Sequence, residues 1–422
     1  MDTRILEQLE GVYAEELALV RGDLGQLEPA VEAIVKSLGA GLLQRLVDRG
    51  PNGYRGSSIP CSCGGSMRFV DHRRRWIHTL LGWIEIRRAY YHCAACHRSQ
   101  VPYDRASGLG AEQLSPALAQ ACCLLAVDDS FAESAKKMDA LFGEKVSDTT
   151  IERLAHQVGS VSRRQQEQER QRFELEREVP AAPAQPRRLY VSVDGTTAHE
   201  QDGWHEAKIG CIYWEDEHFR RHAYYVGRFC NSETFGWHLW LAACRCGLRD
   251  AAEVVYLGDG ASWIRHEHER HFRRAVFIVD WYHASEHLWD GGKALFGEGT
   301  PRTDQWVRER LSLLWEGRTR ALLEDLKAQR RGHRGPKRKA LDDLIRYLRT
   351  NEEQMRYDVF RAHGYDIGSG AVEGACKHVV AKRLKQSGMI WTRPGSSAVL
   401  ALRITWLNAE WNPFWNRKPM AA

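Results

Sequence analysis

The chain has 422 residues, 43% hydrophobic and 27% charged, a balance that suits a globular protein of two or three domains. No apolar run approaches the roughly 20 residues needed to span a bilayer, and the acidic, helically patterned start does not read as a signal peptide. The expectation is a cytoplasmic, reducing setting with no membrane partner. Net charge is only +5, and the eleven cysteines are odd in number and unevenly placed, which argues against a disulfide framework.

Residues 1–56 read as a helical region. Leu6, Leu9, Val12 and Tyr13 recur at helical spacing, as do Val31, Ile34, Val35 and Leu38, until Pro51, Gly53 and Gly56 break the pattern. Residues 57–108 change to short strand-like stretches between two cysteine pairs, Cys61-x-Cys63 and Cys93-x-x-Cys96. Two such knuckles separated by a hairpin can set four thiolates tetrahedrally around zinc, so a zinc ribbon with a structural Zn2+ is expected. His72, His92 and His97 are competing ligands, and four free thiols are the plainer alternative. Arg73, Arg74 and Arg75 on this ribbon are candidate phosphate contacts.

Residues 109–160 return to helix. Ser115–Pro116 marks a start, Ser130 with Glu133 and Thr149 with Glu152 fit capping boxes, and Gly143 is a turn. This reads as a helix-turn-helix-like domain; an αα-hairpin without a DNA role is the alternative. Residues 161–188 read as a charged helix, exposed or dimerising, followed by the Pro-rich linker PAAPAQP.

Residues 189–290 alternate strand and helix: LYVSVDG, HEAKIGCIYW and HAYYVGRF as strands, a helix, VVYLGDG, a helix, then AVFIVDWYH. A three-stranded meander followed by parallel strands is the order of an RNase-H-like core, in which the first and fourth strands are neighbours. Asp194 closes the first strand and Asp259 the fourth, each followed by a glycine expected to permit a sharp turn. Two carboxylates on adjacent strand ends suit the hard-oxygen ligation of two Mg2+ (or Mn2+) ions in phosphodiester chemistry. Asp280-x-x-His283 follows the fifth strand as an accessory pair that either joins the site or orders it.

Residues 291–365 are helical and basic. Between Pro301 and Lys339 twelve Lys/Arg face five Asp/Glu, and RRGHRGPKRK supplies Arg330, Arg331, Arg334, Lys337 and Arg338 as candidate DNA contacts. Residues 366–422 hold the turn DIGSG, a long helix from about Ala371 with Ser369 as its cap, and a Trp-rich end. Glu373 at that helix start is the candidate third acid, and Lys377, Lys382, Arg383 and Lys385 behind it form a candidate DNA track.

Taken together, CSCGG…RRAYYHCAAC, VSVDGTTAH, GDGASWI, DWYHASEHL and GSGAVEGACKHVVAKRLKQSGMIW resemble bacterial insertion-sequence transposases of the ISKra type, within the Mutator-related DDE superfamily. The resemblance covers roughly residues 55–412. It implies Asp194, Asp259 and Glu373 as the acidic triad, Asp280-x-x-His283 as the superfamily's [C/D]-x-x-H motif, and 291–365 as an all-α insertion in the catalytic core. The expected fold is therefore multidomain α+β, and the expected function metal-dependent DNA cleavage and strand transfer at element ends. The partners would be terminal inverted repeats, target DNA and a second copy in a homodimer or higher assembly. A nuclease of the same fold without strand transfer, and a non-catalytic zinc-ribbon regulator, are the competing expectations.

Overall fold

A computed structural model describes residues 11, 12, 14, 23–182 and 185–421; the spacing expected at Leu6, Leu9 and Tyr13 lies outside them. The chain is mixed α/β and 55% helical. It divides into two compact units, residues 1–161 with 412–422, and residues 162–411. Among the described residues no helix is long and apolar enough to cross a membrane.

In the first unit, α1 (Leu24–Arg49) precedes an antiparallel sheet of β1 (Ser58–Pro60), β2 (Ser66–Thr79), β3 (Gly82–His92) and β4 (Ser99–Gln100), in that order. The long β2–β3 hairpin turns at Leu80–Leu81, where Gly82 takes a φ of 109° that side chains disfavour. Alternation sends Ile77, Ile84 and Ile86 into one core with Leu109, against which Leu43 and Val47 of α1 pack. Met67, Ala89 and Tyr91 form a second core around Cys61 and Cys93.

The helices α2 (Pro102–Ser107), α3 (Pro116–Asp128) and α4 (Phe131–Phe142) follow. Ser115 and Ser130 each accept a hydrogen bond from the third residue of their helix, and Gly143 ends α4 with a left-handed φ of 64°. The next helix, α5, runs unbroken from Asp148 to Glu176. Its cap is Ser147, whose Oγ accepts the Thr150 N–H, and not the expected Thr149, which already lies in the first turn. The helix carries through the expected boundary at residue 160, Gly159 included, although the two compact units divide within it, after Val161. The later part is not polar on every face. Phe173 packs on Trp237 and Trp240, Glu169 pairs with Arg245, and Glu167 meets His238.

The second unit is built on a five-stranded sheet. β5 (Arg188–Glu200), β6 (Gly203–Glu215) and β7 (Arg221–Arg228) form an antiparallel meander; α6 (Ser232–Arg245), β8 (Glu253–Gly258), α7 (Ser262–His271) and β9 (Val276–Val279) complete it. The spatial order is β7-β6-β5-β8-β9, with β5, β8 and β9 parallel. Buried Val191, Val193, Val255, Leu257 and Ile278 make the sheet's core.

After β9, α8 (Trp281–Phe296) runs past residue 290 and into a helical bundle with α9 (Pro301–Trp315), α10 (Thr319–Arg331) and α11 (Gly335–Thr350). Gly291 and Gly292 let α8 approach Trp306, Val307 and Leu344 closely; a Cβ at Gly292 would lie 2.8 Å from Val307. The basic run at 330–339 is mostly helical, the end of α10 and the start of α11, rather than a loop. α12 (Tyr357–Ala362) leads back to α13 (Gly370–Ala375), which continues as a π-helical turn over Cys376–Ala381 and a last turn, α14 (Lys382–Leu384). The expected single long helix is thus interrupted by one wide turn, a feature often found where a helix re-aims functional side chains. α15 (Arg393–Leu407), largely buried, packs on β7.

Candidate active site and cysteine centre

The parallel pairing of β5 with β8 ends at Ser192↔Leu257. Asp194 and Asp259 each lie two residues beyond that last rung, at the same end of the neighbouring chain segments and close enough for the Asp259 charge to act on Asp194. Asp194 does not close its strand: β5 continues to Glu200 in its hairpin with β6, and Gly195 pairs with Lys208 in extended conformation. The glycine expected to turn there instead leaves room for Glu206; a Cβ on it would collide with that carboxylate. Gly260 does turn, with φ 85°, against Asn351.

Asp194 is largely buried. Its Oδ1 accepts the Gly195 N–H at 2.7 Å and its Oδ2 the Cys376 thiol at 3.5 Å. Burial pushes its carboxyl above the usual aspartate range; the Gly195 and Cys376 bonds and the His283 charge oppose this, and the Asp259 charge adds to it. Asp259 Oδ1 accepts the Ala261 N–H at 2.7 Å, and Tyr347 donates to its carbonyl. Glu373 sits in the first turn of α13, half exposed and 4.0 Å from Lys377. α13 packs on β5 and β6, which brings Glu373 to the sheet that carries Asp194.

Asp280 is fully buried and acts as a joint. Its Oδ1 caps α8 by accepting the His283 N–H at 2.8 Å, its Oδ2 accepts the Ser369 N–H, and its own N–H donates to Gly258 at the end of β8. It therefore ties the Asp259 strand end to the segment that launches Glu373. Ser369 does not cap α13 through its side chain as expected, because its backbone N–H is what the fold uses. His283 is a third exposed, and its ring lies near Glu286. His287, one turn on, packs at a tilt against Tyr347 with ring centroids 3.7 Å apart, and burial holds its pKa below the ordinary histidine value.

Cys61, Cys63, Cys93 and Cys96 come together as one cluster. Their Sγ separations of 3.5 Å (61–96), 3.4 Å (61–63) and 3.8 Å (63–93) match the roughly 3.8 Å edge of a tetrahedron with metal–sulfur bonds of about 2.3 Å. The knuckles are closed by Gly64 N–H to Cys61 O and His97 N–H to Cys93 O. The Cys96 N–H draws the Cys93 thiol down to about 7. Cys96, although the Arg98 N–H favours its thiolate, is pushed up to about 12 by burial and the other thiols. Of the competing histidines, His72 is engaged with Asn52 and His92 with Ser99, while the His97 ring tilts against His92.

Among the described residues, one other group brings three metal-type donors within 4.8 Å of one another: Glu200, Asp202 and His205. The Asp194–Asp259–Glu373 set is not drawn in so closely. In the Glu200 group, His205 Nε2 faces Asp202 at 2.8 Å and its Nδ1 faces the Arg393 guanidinium at 3.0 Å. Arg393 also lies 3.7 Å from Glu200, so the group is tied together by hydrogen bonds and an ion pair, and its donors are compatible with a metal ion.

The basic candidates divide. Arg74, Arg331, Arg334, Lys377, Lys382 and Lys385 are exposed, as are Arg73, stacked on Tyr90, and Arg338. Lys337 reaches the Leu295 carbonyl, and Arg330 pairs with Asp342. Arg75 and Arg383 are corrected. Arg75 is spent inside the fold on Asp104 and the carbonyls of Gly110, Ala111 and Glu112. Arg383 is fully buried against Trp391 and Met389. Neither can meet a phosphate without unpacking.

Sequence reasoning missed Cys376, Tyr347 and Asn351 around the acids. Only Cys376 had a local signal, three residues after Glu373 on one helix face.

No curated protein matches the chain. A family model described as Uncharacterised protein family (UPF0236) matches residues 66–412, most of the chain and all of the candidate acidic site. The protein belongs to the UPF0236 family.

Proposed function

We propose that the protein is a DNA transposase of the DDE type whose acidic site is Asp194, Asp259 and Glu373. The observation that carries this reading is the placement of Asp194 and Asp259 beyond the last rung of one parallel strand pair, with the Glu373 helix packed on the same sheet. The sheet order β7-β6-β5-β8-β9, with a helical bundle between β9 and α13, supports an RNase-H-like core with an insertion. The UPF0236 family is associated with transposase-like proteins, which supports the same reading, and the ISKra type is the finer assignment we favour.

The three carboxylates offer the hard oxygen donors that two Mg2+ (or Mn2+) ions require, and bound ions would activate the attacking hydroxyl and stabilise the leaving oxygen. The chain's own part is to hold those donors. Gly195 N–H and the Cys376 thiol fix the Asp194 carboxylate, Ala261 N–H fixes Asp259, and Asp280 locks the Glu373 segment to the end of β8. The four cysteines fit a structural Zn2+ with no open position. The ribbon, the α4–α5 pair and the exposed basic residues would bind element ends, and two copies would hold two ends, with the DNA in the bacterial cytoplasm as substrate.

Strand transfer with precut element ends tests this. Joined product that needs Mg2+ and is abolished in Asp194→Asn, with DNA affinity kept, is expected. Cleavage without joining would leave a nuclease, and cleavage undiminished by Asp194→Asn would remove the proposed site.

A further inference from the structure

A cavity of about 300 Å³ opens between α5, the end of β7 and the start of α6, lined by Arg163, Arg164, Arg228, Glu167 and Thr234 among others. Arg228 is the last residue of β7 and is partly buried; its Nη2 donates to the Gln166 side chain at 2.7 Å, an uncharged partner. No carboxylate among the described residues pairs with it. The acid whose charge reaches it, Glu167, is already held by Arg170 at 2.6 Å and His238 at 3.2 Å. Burial, the largest influence, pulls the Arg228 pKa down to about 10. A guanidinium partly withdrawn from water with no carboxylate paired to it is costly, and one kept at the wall of an open cavity leaves a place for an anion.

A further feature points the same way: Arg163 and Arg164 are exposed at the cavity mouth.

The position is informative as well. Arg228 pairs with Lys208, and Lys208 with Gly195, so Arg228 stands at the same end of the sheet as Asp194, two strands away or about 10 Å between backbones. Alternation directs the two side chains to opposite faces, so a strand touching both would cross the sheet's end.

We infer that this cavity is a phosphate seat, which takes a backbone phosphodiester of the DNA strand entering the acidic site. The DNA part of the inference rests on the proposed function; the phosphate chemistry does not.

The test uses the full-length protein and two probes, a short mixed-sequence duplex and inorganic phosphate. Arg228→Met should lower the slope of log affinity against log salt for the duplex by about 1, and the Arg163→Gln/Arg164→Gln pair by up to about 2. Arg274→Gln, exposed at the opposite end of the sheet, should leave the slope unchanged. Inorganic phosphate should raise the melting temperature of the wild type and not of Arg228→Met. If Arg228→Met fails to fold, the exposed Arg163/Arg164 pair decides alone. Phosphate stabilisation lost with an unchanged DNA slope would overturn the DNA assignment and leave a free-anion site. No change with either probe would overturn the seat altogether. Neither result depends on whether Asp194→Asn cuts DNA, so failure of the proposed activity is read separately.

Discussion

The four cysteines and the three acids are both sets of metal-type ligands, yet only the cysteines are drawn together. The cysteine set is local, two knuckles held by backbone hydrogen bonds within a few residues and joined by one hairpin. Thiols also tolerate one another, since a neutral S–H can donate to its neighbour. The acids come from a strand, a turn and a helix spread over 180 residues of sequence. Carboxylates facing one another repel, and burial raises the Asp194 pKa further. A closed set of ligands makes a structural centre, whereas a spread set leaves room for ions and substrate.

The largest effect is expected at the ribbon. Cys93→Ser, or exhaustive chelation, should unfold the β2–β3 region, since a structural four-thiolate site supplies on the order of 10 kcal/mol to so small a core. Limited proteolysis should then cut between Ser57 and Gln100 while residues 189–411 stay protected. An intact ribbon after metal removal would show that its two small cores suffice. Asp194→Asn should do the reverse, costing catalysis on the order of 10³-fold or more with no loss of stability, because the amide escapes the penalty of a buried charge. A fall in melting temperature for this variant would mean that the carboxylate is there to hold the fold.

Asp280 lies between these extremes. Asp280→Ala removes a helix cap and leaves the Ser369 N–H unsatisfied, and should destabilise by about 2–3 kcal/mol by denaturant titration. Asp280→Asn keeps one acceptor and should recover part of that. If Asp280 instead serves as a ligand, Asp280→Asn would lose activity at full stability.

The difference between the two centres also explains what could be read from the sequence. The cysteine pairs were visible because their spacing is their geometry. Strand order in the second unit was visible because VSVDG and VVYLGDG are short apolar runs that end in acids. The Arg75 and Arg383 assignments failed because a guanidinium has the same letter whether it faces solvent or the carbonyls of Gly110–Glu112. The continuity of α5 was missed because its later buried contacts come from Trp237 and Trp240, far away in sequence. Cys376 and Tyr347 reach the acids only through tertiary packing, which no local pattern encodes.

A smaller effect should come from pH. Burial first, then the Arg228 charge, hold His238 neutral with a pKa of about 3. Unfolded, the same ring titrates at about 6.5. Stability is therefore full above about pH 6.5 and falls as pH drops toward the folded value, by at most roughly 1.4 kcal/mol per unit. The His238→Gln variant should flatten the stability profile between about pH 6.5 and 5. An unchanged profile would show that the ring is protonated in place against Glu167.

The smallest effect distinguishes the two kinds of sulfur. Cys376 is pushed well above the ordinary thiol range by burial first and then by the Asp194 carboxylate it donates to, so it should resist alkylation at neutral pH. Cys93, buried in the folded ribbon and exposed once metal removal unfolds it, should react readily. Mass spectrometry after brief iodoacetamide treatment reads both at once. Cys376→Ala should change stability by less than about 1 kcal/mol, since one weak S–H donor is lost and a small apolar group remains. Rapid labelling of Cys376 would mean that its thiol is not spent on Asp194. The carboxylate would then lack the donor that now orients it, and the acidic site would be looser than its backbone implies. Slow labelling of Cys376 beside fast labelling of Cys93 would show that the sulfur at the acidic centre serves an oxygen ligand, while the sulfurs of the ribbon are themselves the ligands.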